Sequence, residues 1–319
     1  MKYDSDNCYH TLFKRYEANP ILSCQDWPYP VNSVFNPGAA MVNGRYLLLV
    51  RVEDRRGFSH LCAAHSANGV SDWEIDPQPT LASLSEKYPE ETWGIEDPRI
   101  TWLEDPGLWA IAYTAYSKAG PLVSLATTSD FVSFERLGPV MPPEDKDAAL
   151  FPVKFKGRYA MLHRPVPGPS FGRHIWISFS PDLKHWGDHQ VLIPARSGAW
   201  WDANKIGLSP PPLETSEGWL VMYHGVRETV GGCLYRLGLA LLDKEDPTLV
   251  IRRSDQWIFG PEEAYEKNGD VGNVVFPCGW ILQGDELRIY YGGGDSCVAV
   301  ASASLRDILA FLKDCHIPL

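Results

Sequence analysis

Several things are scarce in this chain of 319 residues, and each scarcity removes a class of function. Positive charge is in deficit: 29 lysines and arginines stand against 40 aspartates and glutamates, a formal net charge of -11. A nucleic-acid backbone needs a basic face, so that partner is not expected, although a local basic pocket remains allowed. No apolar run approaches the length of a spanning helix, and no membrane is expected as a partner. The first residues, Met1-Lys2-Tyr3-Asp4-Ser5-Asp6, are polar and do not read as a secretory leader. The seven cysteines are scattered, odd in number and free of any C-x-x-C spacing. Neither a disulfide framework nor a metal site is expected, and free thiols suit a reducing compartment. The expectation is a soluble, cytoplasmic protein. There is no G-x-S-x-G elbow and no H-E-x-x-H, and Gly292-Gly293-Gly294 lacks the Lys-Ser/Thr of a phosphate loop.

Helical periodicity is nearly absent too. Its one clear occurrence is at the C-terminus, where Ser304 precedes a helically spaced apolar set, Leu305, Ile308, Leu309 and Leu312. This predicts a short helix over 304–314. Residues 1–30, with Pro20, Pro28 and Pro30, read as an irregular lead-in.

What is present is aromatic residues and turns: 12 Trp, 14 Tyr and 12 Phe with 27 Gly and 26 Pro. That mixture favours strands. A glycine-bearing turn followed by an apolar-aromatic strand occurs at Asn43-Gly44, Pro106-Gly107, Lys156-Gly157, Glu217-Gly218 and Gly284-Asp285. A proline precedes each turn by one short apolar segment: Pro37, Pro98, Pro152, Pro211 and Pro277. A unit of several antiparallel strands, repeated about every sixty residues, is the signature of a β-propeller. The fold class expected is all-β: one five-bladed β-propeller domain over 1–319, carrying the C-terminal helix.

In such a ring the inner strands line a central channel, and the residues before the five prolines should converge at its mouth. They include Asn36, Glu96-Asp97, Leu150-Phe151, Ser209-Pro210 and Phe276. The ends of the second strands add Arg51, Tyr113, His163-Arg164 and Tyr223-His224. Pro98 removes a backbone donor and is expected to hold Asp97 extended, as a carboxylate fixed on a rigid element and open to tuning for proton donation. A strand-capping ion pair with Arg99 is the plainer alternative. Arg51, Arg164, Lys205 and His224 around one channel would suit an anion such as inorganic phosphate. Lys146 is a fifth candidate, although Glu144, Asp145 and Asp147 beside it equally describe a self-neutralised loop. Aromatic faces with a few fixed polar groups suit a sugar ring.

Taken in order, Phe35-Asn36-Pro37-Gly38-Ala39, Arg51-Val52-Glu53, Gly94-Ile95-Glu96-Asp97-Pro98-Arg99, Leu162-His163-Arg164-Pro165, Lys205-Ile206-Gly207, Tyr223-His224-Gly225-Val226 and Tyr291-Gly292-Gly293-Gly294-Asp295 resemble glycoside hydrolase family 130. These are the β-mannoside phosphorylases and their hydrolytic relatives. The resemblance implies a five-bladed propeller without a metal or other cofactor, with inorganic phosphate as co-substrate. It implies that Asp97 is the single general acid, acting through the 3-hydroxyl of a terminal β-mannosyl unit. Phosphate would attack C1 with inversion to give α-mannose 1-phosphate. Arg164, Lys205 and His224 match phosphate-holding positions, with Lys146 where an arginine is common. Asn36, Arg51 and Asp295 match sugar-contacting positions. Lysine at 146 keeps the charge but loses the bidentate fork. The acids at 145 and 147 depart from the pattern, so an inverting β-mannosidase with Asp147 or Asp145 as base stays open, as does a sugar-binding propeller without catalysis. The expected partners are a short oligosaccharide and phosphate. A homo-oligomer is compatible with the family.

Overall fold

Leu47 and Leu48 are adjacent, both are fully buried, and they face opposite ways. Leu47 packs towards the second sheet and Leu48 towards the fifth. Strand alternation sends successive side chains to opposite faces. A strand apolar on both faces must therefore be covered on both, and each such burial contributes about 1.5–3 kcal/mol. A ring of sheets meets that demand without exposing either face.

The computed structural model describes residues 11–166, 168, 172–230 and 232–315. Its strands form five antiparallel sheets in chain order, the blades of a five-bladed β-propeller. The first has Ser33–Val42 innermost, then Arg45–Glu53, Ser59–Ser66 and Glu74–Ile75. The second runs Ile95–Leu103, Leu108–Ser117, Gly120–Thr128 and Glu135–Met141. The third runs Asp145–Leu150, Tyr159–Pro165, Ile175–Ser180 and Gly187–Ile193. The fourth pairs Lys205–Leu208 and Leu213–Thr215 with Gly218–Thr229, then Gly232–Leu242 and Val250–Arg253. The fifth runs Val275–Gln283, Glu286–Gly293 and Cys297–Ser304. The main apolar clusters lie between neighbouring blades, such as Leu49 with Ile111, Leu125 with Met161, and Phe151 with Trp219.

The lead-in is not merely irregular. Lys14–Arg15 is the outermost strand of the fifth blade, paired to Ser302 and Ala301, so the start of the chain closes the ring. Residues 1–10 of the predicted lead-in lie outside the described residues. The C-terminal helix spans Leu305–Lys313, with Ser304 accepting a bond from the Asp307 N–H, and it packs against the fourth and fifth blades. Among the described residues no helix is long and apolar enough to cross a membrane.

Arg15 fastens the closing strand. Its guanidinium donates to both oxygens of the buried Glu266 at 2.8 and 2.9 Å and to the Gly260 carbonyl at 2.6 Å. Breaking such a pair strands the remaining charge. Arg15→Ala is expected to lower unfolding free energy by about 3 kcal/mol. Urea denaturation checks it, and a wild-type midpoint would contradict the role.

Candidate active site

Three inner strands break register at the same place. The shifts fall between Phe35 and Gly38, between Glu96 and Arg99, and between Lys146 and Ala149. Each inserts a bulge whose first residue is left-handed: Asn36 at φ 46°, Asp97 at 51° and Asp147 at 54°. Only Gly, Asn and Asp visit this region readily. The extended backbone expected for Asp97 is thus wrong. The bulge outweighs the preference imposed by Pro98 and turns the carboxylate into the channel, with a backbone cost of about 1–3 kcal/mol. Close approach demands glycine opposite two of these side chains. A Cβ on Gly292 would lie 2.1 Å from Asn36 Oδ1, and one on Gly207 2.4 Å from Asp147 Oδ2.

The bulges open onto a cavity of about 210 Å³. Asp97, Asn36, Arg51 and Asp295 line it with Phe276, and so do Lys146, Arg164, Lys205 and His224. Four other candidates stand off it. Glu96 takes a bond from Arg51 Nη2 at 3.1 Å. The Tyr113 hydroxyl donates to Glu91 at 2.9 Å. His163 lies 2.6 Å from Asp145 Oδ2 and 2.7 Å from Ser178 Oγ. Tyr223 stacks on Trp201 and donates to Asp202 at 3.1 Å. For His163 and Tyr223 the reason is alternation: their neighbours Arg164, paired with Lys146, and His224, paired with Gly207, face the cavity, so they point the other way. Proline also misleads in two blades. Phe151 before Pro152 is core, packed on Phe155 and Trp219, and Ser209 offers its carbonyl to Arg99. The third-blade counterpart of Asp97-Pro98 is Asp147-Ala148. Tyr235, which also lines the cavity, comes from the long fourth-blade hairpin. The alternation of that hairpin was the one available signal for it.

The charges divide into two groups. Asp97 Oδ1 receives Asn36 Nδ2 at 2.9 Å and Arg51 Nη1 at 3.1 Å. Burial pushes its pKa up, but Arg51, Lys146, Arg99 and the Asn36 bond prevail and hold it below the usual carboxylate range. Asp147 Oδ2 accepts Arg164 Nε at 2.7 Å and lies 3.6 Å from His224 Nε2. Burial opposes its ionisation, yet Arg164, His224 and Arg99 drive its pKa far down. His224 falls to about 3, because burial and the surrounding cations outweigh Asp147, so its ring is neutral at pH 7. Burial and Arg164 also lower Lys205. Asp295 rises to about 7 through burial, partly countered by Arg51 and reinforced by Asp97 and Glu53. An acid thus faces a cluster of cations across a space of sugar size.

The glycoside hydrolase family 130 model, described as beta-1,4-mannooligosaccharide phosphorylase, matches residues 13–314. The chain belongs to glycoside hydrolase family 130. Among family 130 relatives, the beta-1,4-mannooligosaccharide phosphorylase of Ruminococcus albus is 37% identical, over 94% of this chain and 90% of that one. The 1,2-beta-oligomannan phosphorylase of a Thermoanaerobacter species is 36% identical, over 92% and 98%. The solved beta-1,2-mannobiose phosphorylase of Listeria innocua, in complex with beta-1,2-mannobiose, superposes with a TM-score of 0.86 at 33% identity, over 94% of this chain and 99% of that one.

The raised pKa of Asp295 predicts a pH signature within this family 130 site. A carboxyl raised in the folded state contributes stability that is complete below its unfolded pKa of about 4 and lost as pH rises through about 7. Thermal melts should therefore show wild type losing stability relative to Asp295→Asn across that window. A constant difference from acid to neutral pH would contradict the assignment.

Proposed function

We propose that the chain is an inverting β-mannoside phosphorylase acting on short manno-oligosaccharides. The observation that carries this is one cavity lined by Asp97 and by Arg164, Lys205, His224 and Lys146. Phosphate would sit among Arg164, Lys205 and Lys146 with the neutral His224 ring beside it, and the terminal mannosyl unit would lie between it and Asp97. A phosphate oxygen forms the bond to C1 from the face opposite the leaving group. The C1–O glycosidic bond breaks, and the proton of Asp97 passes through the mannosyl 3-hydroxyl to the departing oxygen. The products are α-mannose 1-phosphate and the shortened saccharide. Hydrolytic inversion needs a second carboxylate to deprotonate water, whereas phosphate arrives already charged.

The carboxylates support this choice. Asp147 is held ionised by Arg164 and Arg99, which makes it a poor proton acceptor. Asp145 bonds to His163 away from the cavity. In the free protein Asp97 is ionised at neutral pH and must gain its proton in the loaded site. Phosphate offsets the field of Lys146 and Arg99, and a covering sugar removes water; both raise the pKa. The free thiols of Cys62, Cys278 and Cys297 support a reducing, cytoplasmic setting. The relatives' names carry both β-1,2 and β-1,4 linkages, so the proposal is a substrate class and not one linkage.

Incubation with β-mannobioses of each linkage, with and without phosphate, tests the reading. Turnover is expected only with phosphate, and the first sugar phosphate seen by NMR should be the α anomer. Asp97→Asn should lower kcat by about 100-fold or more while the protein still binds the saccharide. Turnover indifferent to phosphate would contradict the proposal.

A further inference from the structure

Asp147 is out of place in an anion site. It lines the cavity among the cations, is 2% exposed, and cancels part of the charge that would attract phosphate. Its position is fixed. The left-handed bulge aims it, Arg164 Nε binds Oδ2 at 2.7 Å, and Arg99 Nη2 stands 3.5 Å from Oδ1. His224 Nε2 is 3.6 Å from Oδ2, and both groups lie against Gly207, which has no side chain to separate them.

An ionised carboxylate is acceptor-only, with about four lone-pair directions. Arg164 uses one of them, and Arg99 is longer than a strong bond. A remaining lone pair on a cavity-lining group seeks a donor. Of the common tetrahedral oxyanions at neutral pH, phosphate and arsenate keep a proton and sulfate does not. We propose that Asp147 is a selectivity residue that accepts a hydrogen bond from the proton of bound phosphate, and so admits hydrogen phosphate and rejects sulfate. For sulfate the same contact sets acceptor against acceptor, with a buried lone pair left unmatched. The Nε bond also orients Arg164 so that its Nη edge is left for the anion. The proposal rests on the phosphorylase reading.

The test is calorimetric titration of phosphate, arsenate and sulfate into wild-type protein and into Asp147→Asn at neutral pH. Wild type should bind phosphate and arsenate comparably, and sulfate more weakly by about tenfold or more, the worth of one hydrogen bond to a charged group. In Asp147→Asn the amide can donate, so the phosphate-to-sulfate ratio should fall by about tenfold. Sulfate binding wild type as tightly as phosphate overturns the proposal, and so does an unchanged ratio in the variant. The wild-type series needs no substitution, so a variant that fails to fold leaves the test standing. Phosphate-dependent turnover with no anion discrimination would sink the selectivity role alone. Turnover indifferent to phosphate would sink the phosphorylase reading beneath it.

Discussion

One buried guanidinium ties the site together. Arg99 is 1% exposed and donates Nη1 to the Asp97 carbonyl at 3.1 Å, Nη2 to Leu208 at 2.8 Å and Nε to Ser209 at 2.6 Å. Its Nη2 also faces Asp147 at 3.5 Å. The Asp97 bulge in the second blade, the Asp147 bulge in the third and the end of the inner strand in the fourth are thereby referred to one planar group. A charge without water is tolerated only when its donors are matched in this way, and removing a partner of such a group costs about 3–5 kcal/mol. The fork geometry supplies directions that a lysine would not.

Around that anchor, the left-handed bulges do the aiming. Repetition of one blade plan gives each inner strand an equivalent position, and the side chain there decides its use: an amide in the first blade, the acid in the second, a counter-charge in the third. The fourth blade supplies His224 and Lys205 instead. Asn36 donates to Asp97, so the first bulge serves the second. The ring is what makes these neighbours, because the bulges lie far apart in sequence and meet only when the sheets close.

Much of this is legible in the sequence. The turn-and-strand period points to five blades, and the motifs from Asn36 to Asp295, with Lys146, hold most of the polar residues that line the cavity. What was missed has physical causes. Proline is not the marker of the mouth; the left-handed bulge residue is, and Ala148 follows it in the third blade where Pro37 and Pro98 follow it in the first and second. His163 and Tyr223 adjoin cavity-lining residues along the chain but alternation turns them away, and the Tyr113 hydroxyl is taken up by Glu91. Lys14–Arg15 is too short to announce itself as a strand, because its stability comes from pairing with the far end of the chain. Arg99 was noticed beside Asp97, but its partners at 208 and 209 are set only by closure.

Exchange of Arg99 for lysine tests the central claim most directly, with kcat and the KM for phosphate measured on the same preparation. The charge survives, but the three carbonyl bonds cannot all be kept. Because one group positions both Asp97 and the cation cluster, kcat should fall and the KM for phosphate should rise together. Wild-type values for either, with the other impaired, would contradict the claim that a single buried arginine sets both halves of the site.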